Sequence, residues 1–238
     1  MCGISGYFLS QPIDYISSLV AMSSAIVHRG PDDEGFAFAL LDSDRVELFS
    51  SIRSPGAVAA HWPSIATRCE AVSHHVGMAH VRYSIIDLSA AGHQPMRSPC
   101  GKVCLTFNGE IYNYIELREE LASQGIEFRT ESDTEVLLMG YLAWGDQVFS
   151  RLNGFFAVAL YDLRKRAVLL ARDRLGVAHL YVHRDPARGI HWASEIKALL
   201  AAGCVEAKQV DIPAVTDFVL FNRRDRGGTF WRQAEDFP

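Results

Sequence analysis

Met1-Cys2-Gly3-Ile4-Ser5-Gly6-Tyr7-Phe8-Leu9 opens the chain, and a cysteine directly behind an initiator methionine is chemically unusual. With Met1 removed, Cys2 carries a thiol nucleophile and a free α-amine a few bonds apart. Such an amine titrates near ~7.7–8.0, low enough to act as a base at neutral pH where lysine cannot. It can take the thiol proton directly or through one water, the nucleophile–base pairing that N-terminal threonine enzymes also use. Gly3 and Gly6 leave room around the sulfur, and Ile4, Tyr7, Phe8 and Leu9 read as a buried strand that holds it still. The plain alternative is a strand that happens to begin with cysteine, and these residues alone do not choose between the two.

A second stretch separates the readings. Val103-Cys-Leu-Thr-Phe-Asn108-Gly109-Glu110-Ile-Tyr-Asn-Tyr114 reads as an apolar strand, an Asn-Gly turn and the start of a helix. The helix would run from Glu110 through Ile111, Ile115, Leu117 and Leu121 to a stop at Gly125. With no partner strand following, a plain Asn-Gly hairpin is disfavoured.

Further segments lie in order along the chain: His28-Arg29-Gly30-Pro31-Asp32, His80-Val81-Arg82-Tyr83-Ser84-Ile85-Ile86-Asp87, Ser132-Asp133-Thr134-Glu135, Leu152-Asn153-Gly154, Ala171-Arg172-Asp173-Arg174 and Ala193-Ser194-Glu195. Together with Met1–Ile4 and Phe107–Asn113 they resemble the class II glutamine amidotransferases, which are N-terminal-nucleophile hydrolases. The likeness is strongest to the glutaminase domain of asparagine synthetases, and it spans nearly the whole chain.

That resemblance implies a set of roles. Cys2 attacks the amide, while the Asn108 side chain and the Gly109 N–H stabilise the tetrahedral oxyanion, a species that needs preorganised donors. Arg82 grips the α-carboxylate of glutamine with a planar fork suited to it. Asp133 and Glu110 lie at the α-ammonium, and Ile85 belongs to the same substrate-binding set. The implied fold is α+β, a four-layer αββα sandwich of two stacked antiparallel sheets between helices. Strand and helix alternation alone would also permit a parallel α/β sheet, but many short strand–turn–strand links favour antiparallel pairing. Two positions depart from the family pattern. Tyr83 replaces a frequent leucine, and Ala178-His179 stands where lysine-proline usually follows.

Elsewhere the periodicity predicts a helix over 12–27 ended by Gly30-Pro31, and strands near 35–41, 45–50, 77–86, 155–161, 168–171, 180–183 and 190–193. A further helix follows over 194–200. Ser132 with Glu135 reads as a capping box for a helix through Leu142. Residues 51–75, including His74-His75, read as a long solvated loop whose role, as lid, partner surface or plain connection, stays open.

With 238 residues, 49% of them hydrophobic, and a net charge of −5, the chain can build one large core. It carries no basic stripe of the kind nucleic-acid binding needs. No apolar run is long enough to span a bilayer, and no secretory leader pattern opens the chain. Five cysteines in no regular framework suit a reducing compartment, with the cytoplasm as default. Cys100 and Cys104 lack the second pair that would complete a metal site.

Residues 1–210 are expected to form the glutaminase domain and 211–238 the start of a linker toward a synthetase domain. No Ser-Gly-Gly-x-Asp-Ser loop occurs here, so no cofactor is expected in this domain. ATP and Mg belong to that synthetase domain, which would receive the ammonia. A homodimer is left open. The rivals are an N-terminal-nucleophile hydrolase for another amide and a catalytically silent regulatory domain of the same fold.

Overall fold

The computed structural model describes residues 1–67, 73–222 and 229–238. In chain order the elements are β1 (Gly3–Ile13), α1 (Ile16–Ala25), β2 (Asp33–Ala39), β3 (Glu47–Ser50), α2 (Gly56–Ala59), β4 (His74–Arg82), β5 (Met96–Arg97) and β6 (Val103–Ile111). They continue with α3 (Tyr114–Ser123), α4 (Asp133–Trp144), α5 (Val148–Arg151), β7 (Gly154–Asp162), β8 (Ala167–Arg172), β9 (Tyr181–Asp185), β10 (Gly189–Ala193), α6 (Ile196–Ala201), α7 (Ile212–Phe221) and β11 (Glu235–Asp236).

The strands form two sheets. One has seven strands in the order β11-β9-β10-β1-β4-β2-β3, and the other has four in the order β5-β6-β7-β8. Neighbours within each sheet run antiparallel.

Alternation along each strand sorts its side chains between two layers. On β6, Val103, Leu105, Phe107 and Ile111 face a core shared with Leu117 and Leu121 of α3 and with Val136, Leu137 and Tyr141 of α4. Cys104 faces the opposite way, into an inter-sheet core with Ile4, Val76, Met78, Ala157, Ala159 and Trp192. Tyr7, Leu9, Ala79 and Val81 point outward from the larger sheet against Leu19, Met22 and Ile26 near α1 and Ala198 and Leu199 of α6. Helices, sheet, sheet and helices thus stack as the expected four layers.

Three local expectations need correction. Asn108-Gly109 is not a turn, because β6 runs straight through both residues, opposite Ala157 and Phe156 of β7, and the helix begins only at Tyr114. Glycine is required at 109 for a non-local reason: a Cβ there would stand 2.1 Å from the Phe155 carbonyl oxygen and 2.7 Å from the Phe156 Cα. The capping box is half formed. Ser132 Oγ accepts from the Thr134 N–H, but the Glu135 carboxylate reaches past Ser132 to the N–H groups of Arg129 and Thr130. The preceding segment wraps around that carboxylate and takes it away from the cap.

Finally, 51–75 is not all loop. It holds α2, and His74-His75 opens β4, with His74 buried against Phe38 at 4.9 Å between ring centroids. Positions 68–72 of that stretch lie outside the described residues. At the other end of the chain, β11 joins the sheet beside β9, and Asp236 pairs with the Arg172 guanidinium at 2.7 Å.

Candidate active site

β1 and β4 run antiparallel with Gly3 opposite Val81, so the entry to β1 lies against the exit of β4. That register sets Cys2 beside Arg82 and Tyr83 without a long loop. The Tyr83 N–H donates to Cys2 Sγ at 3.3 Å, and the thiol faces the Tyr83 carbonyl at 3.6 Å. From below, Arg29 Nε donates to the Cys2 carbonyl at 2.8 Å and is itself held by Glu195 at 3.1 Å. Burial pushes the thiol pKa above its ordinary value, opposed by the Tyr83 backbone contact and by the positive N-terminus and Arg82.

Arg82 is buried, its guanidinium donating to the carbonyls of Ser89 (2.8 Å) and Asp87. Gly92 makes room for it, since a Cβ there would fall 2.1 Å from Nη2.

Across the inter-sheet layer, β6 presents Asn108 toward the larger sheet. Its side chain is fully buried, and neither Oδ1 nor Nδ2 has a hydrogen-bond partner among the described residues. A buried amide left unsatisfied costs on the order of 1–3 kcal/mol. Other buried polar atoms, both ring nitrogens of His191 among them, also have no partner among the described residues, but Asn108 shares a cavity wall with Cys2.

The main chain of β6 is equally telling. In an antiparallel ladder successive N–H groups alternate between the two sides of the strand. On the side away from β7, the Phe107 N–H donates to Gln94 Oε1 (2.7 Å) and the Ile111 N–H to Asp133 Oδ2 (3.1 Å). The Gly109 N–H lies between them and points the same way.

Asp133 is buried at the start of α4, and burial followed by the nearby Glu110 charge raises its pKa to about 6, against accepted hydrogen bonds that lower it. His80 is buried beneath β6, and desolvation drops its pKa to about 3, so the ring is neutral. Its Nε2–H donates to the Phe107 carbonyl at 3.1 Å.

Cys2, Arg82, Asn108, Gly109 and Asp133 line one cavity of about 70 Å³, with His80 behind its wall at Phe107. Every residue singled out from the sequence for the site, namely Cys2, Arg82, Ile85, Asn108, Gly109, Glu110 and Asp133, is on its wall. Met1, Tyr83, Gln94, Ser132, Thr134 and Phe155 also line it. Gln94 and the Tyr83 main chain carried no chemical signal in the sequence, because each acts through partners remote along the chain. The chemistry available is a thiol, two candidate donors for a developing negative charge, a guanidinium and three carboxylates, of which Asp87 is already engaged by the Ser89 and Glu131 N–H groups while Glu110 and Asp133 complete the set. That set matches an α-amino acid bearing a further carbonyl.

Comparison with known proteins agrees with the fold. A family model described as a glutamine amidotransferase domain matches residues 67–238. "Asparagine synthetase [glutamine-hydrolyzing] 1" of Bacillus subtilis is 34% identical over 206 residues, which cover 85% of this chain and 27% of the relative. A putative glutamine-hydrolysing asparagine synthetase of Methanocaldococcus jannaschii is 31% identical over 223 residues, 88% of this chain and 37% of that one. The chain therefore spans only about a quarter to two fifths of these relatives. A solved glutamine phosphoribosylpyrophosphate amidotransferase from B. subtilis, complexed with ADP and GMP, superposes with a TM-score of 0.66 at 22% identity, covering 85% of this chain and 44% of that one. The last is a likeness of fold. No helix among the described residues is long and apolar enough to cross a membrane. A fold of two antiparallel sheets between helices, a cysteine entering at the strand edge and a family match over well over half of the sequence lead to one conclusion: the chain belongs to the class II glutamine amidotransferases.

Proposed function

We propose that this domain hydrolyses the side-chain amide of glutamine through a thioester on Cys2, yielding glutamate and ammonia. The observation that carries the reading is Asn108, a wholly buried amide with no partner among the described residues, on the wall of the cavity that Cys2 also lines. Inside a fold, a desolvated orphan donor of this kind is suited to a charge that exists only during reaction.

In the proposed sequence, removal of Met1 frees the Cys2 amine. A thiol whose pKa is raised by burial needs such a base. The amine takes the proton, and sulfur attacks the amide carbon. The carbonyl electrons move onto oxygen, where Asn108 Nδ2–H and the Gly109 N–H donate to it. The proton held by the amine passes to the leaving nitrogen, and ammonia departs. Water then attacks the thioester, a second oxyanion forms in the same place, and glutamate leaves as the thiol is restored. Arg82 would bind the α-carboxylate with the N–H donors it does not spend on Ser89 and Asp87. Asp133 and Glu110 would hold the ammonium, and Ile85 would cover the bound amino acid.

The relatives' names, glutamine-hydrolysing asparagine synthetases, support transfer of the ammonia to a synthetase domain or partner that amidates a carboxylate, where ATP and Mg²⁺ are expected to act. The Arg82 guanidinium with the Glu110 and Asp133 carboxylates fits an amino-acid zwitterion rather than a polyphosphate, so the nucleotide chemistry is expected in that other domain.

The test is Cys2→Ala. Glutamate production is expected to fall by more than about 1000-fold, with the circular dichroism spectrum unchanged. Activity near that of the parent protein would refute the reading. Comparing glutamine with other amides, and labelling with an electrophilic glutamine analogue, separates it from another amidohydrolase and from a silent domain.

A further inference from the structure

Gln94 stands just before β5, buried, on the cavity wall. Both ends of its amide are committed. Oε1 accepts from the Phe107 N–H at 2.7 Å, and Nε2 donates to Thr134 Oγ1 at 3.2 Å. Phe107 immediately precedes Asn108, and Thr134 immediately follows Asp133, whose Oδ1 lies 3.5 Å from the same Thr134 hydroxyl. One side chain therefore ties the strand bearing the orphan amide to the helix start bearing the buried carboxylate.

The tie falls at a weak place. β5 pairs with β6 at Leu105 and Cys104, so beyond Leu105 no strand among the described residues holds this β6 edge. Side chains take over that task. Gln94 and His80 hold the N–H and carbonyl of Phe107, and Asp133 holds the N–H of Ile111. The Gly109 N–H is left open between the two attachments. Were the Phe107 attachment lost, the Asn108–Gly109 segment would be pinned on this edge by His80 and Asp133 alone.

We propose that Gln94 is a positioning residue for amide hydrolysis, one that sets the Asn108–Gly109 donor pair at a fixed distance from the Asp133 carboxylate by bridging Phe107 N–H and the Thr134 hydroxyl. The inference rests on the functional reading above and deepens it. Because Oε1 and one Nε2–H are used within the protein, the role assigned to Gln94 is exerted through its neighbours. A misplacement of roughly 1 Å in such a donor set is enough to cost about 100-fold in rate.

The decisive variant is Gln94→Met, similar in length and without polar atoms. Expected is a fall in kcat for glutamine hydrolysis of about 10- to 100-fold, with KM moving less than about 5-fold, because contacts to the oxyanion are made in the transition state. The rate of Cys2 alkylation by iodoacetamide should stay within about 2-fold, since neither the nucleophile nor its base is touched. Gln94→Glu keeps an acceptor for the Phe107 N–H and should retain more of kcat than Gln94→Met.

A kcat within about 2-fold of the parent protein, or hydrolysis and alkylation falling together, would overturn the proposal. If Gln94→Met does not fold, Thr134→Val cuts the same bridge from its other end and should lower kcat about 3- to 10-fold, and an unchanged kcat there overturns it equally. Cys2→Ala in the same assay keeps the two questions apart. Residual glutaminase activity in that variant removes the functional reading itself, whatever Gln94 does.

Discussion

The seven-stranded sheet delivers Cys2 and Arg82 from the ends of two neighbouring strands, whereas the four-stranded sheet delivers Asn108 and Gly109 from the middle of one. At a strand end the main chain is free to bend and side chains reach the cavity mouth. Cys2 is only partly buried, and Tyr83 and Ile85 beside it are exposed. In mid-strand both neighbours of the donor pair are held in a ladder, and Asn108 is wholly enclosed. On the proposed reading, the difference teaches how the work divides. The groups that admit substrate or exchange protons, Cys2 among them, sit at strand ends. The groups proposed to meet developing charge sit in laddered backbone, where reorganisation costs least.

Asn108→Ala bears most heavily on that contrast. It should lower kcat about 100- to 1000-fold. The free energy of unfolding should change by no more than about 1 kcal/mol, because losing a packed side chain is offset by removing two orphan polar atoms. Thermal melts beside steady-state kinetics check both halves. A large loss of stability would make Asn108 a structural amide and erase the distinction between rim and ladder.

Asp133 gives a smaller, graded effect. Its pKa of about 6, raised mainly by burial, means that the ionised form able to attract an ammonium group is lost as pH falls through that value. KM for glutamine should therefore rise about 10-fold for each pH unit below the transition, and Asp133→Asn should flatten the profile. The stability sign is opposite. A carboxyl group with its pKa raised by folding contributes stability below its ordinary range, and that contribution fades as pH rises through about 6. The free protein should gain from this group on acidification while substrate binding weakens. Parallel trends in the two measurements would contradict the assignment.

Tyr83→Leu should do least. The contacts of Tyr83 with the Cys2 sulfur run through its main chain, and its side chain is half exposed. Stability should stay within about 0.5 kcal/mol and turnover within about 2-fold. A larger loss would show that the rim is as tightly specified as the ladder.

Much of this was legible in the residues. Apolar strands and the helix through Leu137 and Leu142 rest on local patterning, and the structure keeps them with shifted ends. The helix expected over 12–27 is shorter: residues 12–13 belong to β1, and α1 ends at Ala25, before a 3-10 turn leads to Gly30-Pro31. Asn108-Gly109 shows where local reading fails. The pair is a strong turn signal by itself, yet here the glycine answers to a neighbouring strand's carbonyl at close approach, not to a left-handed backbone. His74 fails likewise, a polar residue drawn into a strand and packed against Phe38. Gln94 left no trace at all, since its partners lie 13 and 40 positions away.

The sequence by itself determined which chemical groups this protein owns and which faces of its strands are apolar, because side-chain chemistry and period-2 or helical patterning are local properties of the chain. Only the tertiary structure decided which groups meet. Strand register put Cys2 against Tyr83, 81 positions apart. Sheet stacking turned Asn108 toward the same space, and burial without a partner among the described residues left its amide unspent. Those outcomes depend on pairing and packing between segments far apart along the chain, which no local pattern encodes.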